Sequence, residues 1–129
     1  VAKLHVELVS PEREIWAGEA DMVVAKTIEG EMGILPGHAP VLGVMVDGSV
    51  VRIHPADGGE AVAAMVSGGF FSVASNEVSV LAEYAELGGE IDVRAAREEY
   101  ERVSAQEGDE AAAAQRRARA RLRAAGQEV

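Results

Sequence analysis

Three histidines, His5, His38 and His54, are the side chains best suited to proton transfer or metal binding near neutral pH, and they stand far apart in the chain. None belongs to an HExxH or comparable pair, so no helix face carries two metal ligands at matched spacing. His5 and His54 read as strand-surface residues. There is no cysteine, hence no thiolate nucleophile, disulfide or cysteine-held metal. No G-x-S-x-G elbow occurs. The carboxylates are plentiful, but most fall in turns or at exposed strand positions, where a solvated face accounts for them. Gly30-Glu31-Met32-Gly33 lacks the lysine and the long glycine spacing of a phosphate-binding loop. The sequence therefore offers no catalytic residue and no metal site. What it does concentrate is arginine: Arg116, Arg117, Arg119, Arg121 and Arg123 stand in residues 111–129 against Glu128 alone. Such a face is suited to pairing with carboxylates.

Two kinds of element must position these residues. Up to residue 87 the chain reads as short strands parted by turn residues. Leu4, Val6 and Leu8 alternate with His5 and Glu7, a period of two. The N-terminal Val1–Val6 alternates in the same way and lacks a signal-peptide core. Further strands are expected at Glu14–Ala17, Asp21–Ile28, Gly33–Leu35, Val41–Val46, Ser49–His54, Ala61–Val66, Phe70–Ala74 and Glu77–Glu83. Turn chemistry separates them at Pro11-Glu12, Glu29-Gly30, Pro36-Gly37, Asp47-Gly48, Asp57-Gly58-Gly59 and Ser75-Asn76. The fold class expected is mainly β plus α: a flattened antiparallel β-sandwich of about nine to ten strands, then a two-helix hairpin.

The pattern changes at Gly88-Gly89. Asp92 is placed to cap a helix over 93–106 by accepting from its first-turn amides. Glu107-Gly108-Asp109 breaks that helix, and Asp109 can cap a second over 110–125. On the second, Ala111, Ala114, Ala118, Leu122 and Ala125 share a face, with Arg116, Arg119 and Arg123 opposite. A face made mostly of alanine buries little area at roughly 25 cal/mol per Å². Helices of about 15 residues are marginal alone. A detachable appendage is expected, with domains at 1–87 and 88–129.

The charge agrees with two parts. Residues 1–90 hold 4 basic and 14 acidic side chains, and residues 91–129 hold 8 of each, for a chain net of −10. An acidic body argues against nucleic-acid binding, which needs a basic face. The basic tip suggests a local acidic partner. No apolar run approaches the roughly 18–20 residues of a spanning helix. No direct membrane insertion is expected.

Glu31-Met32-Gly33-Ile34-Leu35-Pro36-Gly37-His38-Ala39-Pro40 resembles a segment of the ε subunits of F-type ATP synthases, called δ in mitochondria. Other pieces agree in order: Leu8–Arg13 with the first hairpin, Ser67-Gly68-Gly69-Phe70 with a Gly-Gly-Phe turn, Val78–Glu86 with the final strand, and Glu90-Ile91-Asp92 with the start of the first C-terminal helix. The short tail and its arginines look most like actinobacterial members. The resemblance implies a non-catalytic rotor subunit that clamps the γ subunit to the c-ring. It places Glu31, Met32 and His38 at that junction. It sets the C-terminal arginines against the catalytic β subunits as a brake on ATP hydrolysis. It also implies a peripheral place on the cytoplasmic side of the cell membrane. No cofactor is implied, but ATP is a regulatory ligand of some members through an Ile-Asp-x-x-Arg-Ala motif. Here Ile91-Asp92-Val93-Arg94-Ala95-Ala96-Arg97 brings the arginine one position early, about 100° around a helix. Asp92, Arg94 and Arg97 are the candidate nucleotide residues.

Two other readings compete. A stand-alone ligand-binding β-sandwich, such as a carbohydrate module, would want exposed aromatics, and the chain has only Trp16, Phe70, Phe71, Tyr84 and Tyr100. A small hydrolase would want the motifs found missing above. Co-purification with γ and c subunits separates all three.

Overall fold

The computed structural model describes residues 2–129; Val1 lies outside the described residues. Nine strands are followed by one 3-10 turn and two helices. The strands are β1 (Leu4–Val9), β2 (Glu14–Thr27), β3 (Gly30–Ile34), β4 (Val41–Val44), β5 (Asp47–Pro55), β6 (Val62–Ser67), β7 (Gly69–Ala74), β8 (Glu77–Ala82) and β9 (Ala85–Leu87). The turn at Gly88–Glu90 leads to α1 (Val93–Ser104) and α2 (Asp109–Ala124).

β2 holds the two layers together. Its first half pairs with β1; its second half pairs with β3 on one side and β5 on the other. The register shifts between Ala20 and Met22, the kind of irregularity that bends a strand and increases its twist. The hydrogen-bonded order is β4-β7-β8-β1-β2-β5-β6-β9, with β3 added to β2. The expected strands Glu14–Ala17 and Asp21–Ile28 are thus halves of one. Antiparallel pairing also fails at one place: β1 runs parallel to β8, with Val6 opposite Val78 and Leu8 opposite Val80.

Period two is visible in the burial. Leu4, Val6 and Leu8 point inward while His5 and Glu7 face out. They meet Val23, Ile53, Phe71 and Val80 in one core between the layers. Each such side chain contributes roughly 1.5–3 kcal/mol.

Turns follow their residues in most places. Gly37 takes φ +88, and the His38 amide donates to the Leu35 carbonyl at 3.1 Å, as a Pro-Gly type II turn requires. Ser75 and Asn76 both have positive φ, the geometry of a tight hairpin turn between β7 and β8. Asp47-Gly48, by contrast, is not a loop but a bulge inside β5.

Asp92 caps α1 as expected, its carboxylate accepting from the Ala95 amide at 3.1 Å. Asp109 does not cap α2. Gly108 occupies that position, and Asp109 is the first helical residue, where its charge favours the helix N-terminus. At the other end the Gln127 amide donates to Leu122 and the Gly126 amide to Arg123, a Schellman stop with Gly126 at φ +86. α2 packs on β5 and β6, and α1 packs on α2. Met65, Ile91, Ala96, Ala120, Leu122 and Ala124 form a second apolar cluster beneath the helices.

Candidate functional site

Two surfaces carry the unusual side chains: the seam between α2 and the sheet, and the outer face of the other layer.

At the seam, the five arginines divide by helical position. Arg117 and Arg121, four residues apart, reach back to the sandwich. Arg117 donates to both carboxylate oxygens of Asp47, from Nε at 3.0 and 3.2 Å and from Nη2 at 2.7 Å. Arg121 grips Glu86 of β9 at 2.7 and 3.2 Å, with Glu99 of α1 at 3.9 Å. Each carboxylate raises the pKa of its arginine through these hydrogen bonds. Both pairs are bidentate, the geometry in which arginine binds carboxylate most strongly. Arg119 lies over the Tyr100 ring, 5.9 Å from its centre. Its hydrogen bond to the phenol, at 3.5 Å, lowers the Tyr100 pKa.

Arg116, Arg119 and Arg123 line a cleft of about 280 Å³ beside the sheet. Lys26 and Arg52 project into the same cleft from β2 and β5, together with Glu31 of β3. Glu31 stands opposite Lys26 in register, and Val24 stands opposite Arg52. Glu31 is therefore on the face that α2 covers. Met32, the next residue, turns inward and packs on the core. His38 lies beyond the far end of β3, half-buried, its Nδ1 2.7 Å from the Ala39 carbonyl. Its loop is tied to the β7–β8 turn, the Gly37 amide donating to Asn76 Oδ1 at 2.7 Å. Glu31, Met32 and His38 are thus separated rather than gathered.

The three residues at the start of α1 also stay apart. Asp92 is engaged as the cap. Arg94 is exposed and, among the described residues, pairs only with Glu98 of its own helix, at 3.7 Å. Arg97 donates to Gln127 at 3.2 Å.

The second surface was not singled out by sequence. Leu42 and Val44 of β4, Phe70 of β7 and Leu81 of β8 are 72, 41, 52 and 50% exposed. Val44 stands opposite Phe70, and Phe70 opposite Leu81. They form one apolar stripe across three strands. The signal in the sequence was the run of outward positions in those strands holding apolar rather than polar residues. It could be read only once pairing was known.

The comparisons agree with this architecture. Residues 3–88 match the family model described as ATP synthase, Delta/Epsilon chain, beta-sandwich domain. The chain is 54% identical over 123 residues to an ATP synthase epsilon chain of Streptomyces avermitilis, covering 95% of each. It is 59% identical over 128 residues to that of Thermobifida fusca, covering 95% of this chain and 92% of the relative. Among solved structures, a chain of the Euglena gracilis mitochondrial ATP synthase OSCP/F1/c-ring assembly shares the fold at TM-score 0.73 and 24% identity, over 95% of this chain and 76% of that one. One from the central stalk and c-ring of the Tetrahymena thermophila enzyme does so at TM-score 0.65 and 21% identity, over 98% of both. The resemblance carried by the Glu31–Pro40 segment thus extends over nearly the whole chain, which belongs to the ATP synthase delta/epsilon family.

Proposed function

We propose that the chain is a non-catalytic rotor subunit that joins the γ subunit to the c-ring of a proton-translocating ATP synthase, peripheral to the cell membrane on its cytoplasmic side. The apolar stripe of Leu42, Val44, Phe70 and Leu81 carries the reading. Four large apolar side chains left contiguous and exposed are what a permanent partner covers. Membership of the delta/epsilon family supports γ as that partner. The layer bearing the stripe is not the one that α2 covers, so γ and the helices can be held at once.

The β3 region then serves the c-ring junction, with Glu31 and the His38 loop at its two ends. The C-terminal helices restrain ATP hydrolysis when they leave the sheet and extend toward the β subunits. Release uncovers Arg117 and Arg121, which the docked state neutralises with Asp47 and Glu86. The same arginines that hold the hairpin down become free to pair with carboxylates elsewhere. The separation of Asp92, Arg94 and Arg97 favours a cap and two surface arginines over an ATP site at the start of α1.

The test is affinity purification of the tagged chain from its own cell membranes. Wild type brings down γ and c subunits. Phe70→Asp with Leu42→Asp folds, by circular dichroism, yet recovers neither. Equal recovery by this variant would remove the stripe from the interface, and recovery of the wild-type chain alone would remove the rotor reading.

A further inference from the structure

We propose that the apolar socket beside Gly69, at one end of the exposed stripe, takes a single tryptophan or tyrosine side chain of the γ subunit, and that this side chain anchors the interface. The proposal deepens the rotor reading and rests on it. The socket has a volume of about 320 Å³. Phe70 and Leu81 of the stripe line it together with Val9, Pro11 and Ala82. Val44, Phe70, Leu81 and Val9 stand side by side in register across four strands. The socket takes in the last three of them, so it is continuous with the surface that the partner covers.

The Gly-Gly-Phe segment builds this place. Gly69 has φ +115, and a Cβ there would overlap the Leu81 carbonyl oxygen. Only glycine lets β7 begin this close against β8, and its bare backbone is part of the socket lining. The Glu83 carboxylate lies over Gly68, where an added Cβ would stand 3.5 Å from it. The Glu83 amide donates to the Gly68 carbonyl at 3.3 Å, which fixes the corner from which that side chain departs.

The lining defines the occupant. Its only polar side chains are Ser10 and Glu83. The Ser10 hydroxyl already donates to the Arg13 carbonyl at 3.4 Å. Among the described residues, no cation lies within 4.0 Å of the Glu83 carboxylate. A partner that seals the socket without a donor leaves this acid unanswered as water is excluded, which is costly. Phenylalanine and leucine have that defect. Arginine answers Glu83 but lays a charge against Val9, Pro11 and Leu81. An indole or a phenol is apolar over most of its surface and carries one donor at its edge. About 320 Å³ is at the small end of ligand pockets, which run from about 300 to 1,000 Å³. It holds one side chain and not a helix. Interfaces concentrate their energy in a few such inserted aromatics, ringed by flatter contacts that keep water out; Leu42 and Val44 supply part of that ring.

Titration of the intact free chain, followed by its amide chemical shifts, tests the socket apart from the rotor reading. N-acetyltryptophanamide should bind saturably at millimolar Kd, as expected of a ligand of that size, with its shifts centred on Gly69, Phe70 and Leu81. N-acetylphenylalaninamide and N-acetylargininamide should bind several-fold more weakly. Leu81→Ala should abolish the response. Glu83→Ala should weaken the tryptophan amide about threefold or more and leave the phenylalanine amide unchanged. Glu7→Ala, which removes the same charge from β1, should alter neither. With purified γ, Glu83→Ala should speed dissociation of the complex to a similar extent. No saturable shifts around Gly69, a preference for the arginine or phenylalanine amide, or affinity indifferent to Glu83 would each overturn the socket and leave capture of γ standing. Binding of the tryptophan amide by a chain that never captures γ would overturn the rotor reading and, with it, the occupant named here.

Discussion

Leu122 is the one large side chain of α2 that is wholly removed from solvent, among a set of buried alanines. Replacing it leaves a void over Met65 that the small neighbours cannot fill. Leu122→Ala should weaken hairpin docking by about 2–4 kcal/mol, seen as faster amide exchange in α2 with the strands unchanged. Equal acceleration in β1 and β8 would mean that helices and sandwich open as one. Gly88 makes a second point at the same scale. A Cβ there would overlap the Ala124 carbonyl oxygen, backbone that cannot swing aside. Gly88→Ala should therefore lift the end of α2 while the sandwich keeps its melting temperature. Asp92 as cap and Pro36-Gly37 as turn were legible because each acts on its own neighbours. The pairs Arg117–Asp47 and Arg121–Glu86 were not, since their partners are 70 and 35 residues away in the chain. An arginine-rich face looks alike whether solvent or carboxylate answers it.

Among the elements, alternation exposed most strands, and the glycine pair at 88–89 marked where strands give way to helices. β2 was misread as two strands because Ala17-Gly18-Glu19 looks like a break. The structure shows why it is not: the Trp16 indole lies over Gly18, and a Cβ at Gly18 would sit 3.1 Å from the ring. The glycine serves ring packing within a continuous strand. β9 was read only as the tail of the preceding strand, being three residues long, shorter than any periodic signal. Residues 1–87 contain the whole inter-layer core, so a chain ending at residue 87 should unfold cooperatively with a mainly β circular dichroism spectrum. It should also expose Met65, now buried under α2, and bind apolar dyes more than the intact chain. A truncated chain with no cooperative transition would show that the helices are needed for the sandwich to form.

For the molecule as a whole, the junction between strands and helices carries a further tie. Arg13, in the β1–β2 loop, grips Glu90 at 2.7 and 3.2 Å. The hydrogen bonds from Arg13 lower the Glu90 pKa below its ordinary 4.5. A carboxylate with a lowered folded pKa stabilises the fold above its ordinary value, and that stabilisation is lost as pH falls through the folded value. Melting temperatures of wild type and Glu90→Gln should thus differ at pH 7 and converge in acid. A constant difference down to pH 2 would discount the pair. The carboxylate partners raise the arginine pKa values, so on the alkaline side these pairs are lost only in strong alkali. The pairs that hold the hairpin answer to salt and partners before they answer to alkali.

The central claim is that the chain turns with γ, and the absence of cysteine gives a direct test. Ser72 is exposed beside the apolar stripe, opposite Leu42. A Ser72→Cys chain carrying a photo-crosslinker, assembled into the whole ATP synthase, should capture γ on illumination. ATP hydrolysis and its coupling to proton pumping should continue at the rate of the unlinked enzyme, because two parts of one rotor can be joined without hindrance. Capture of a stationary subunit, or capture of γ with turnover abolished, would contradict the account.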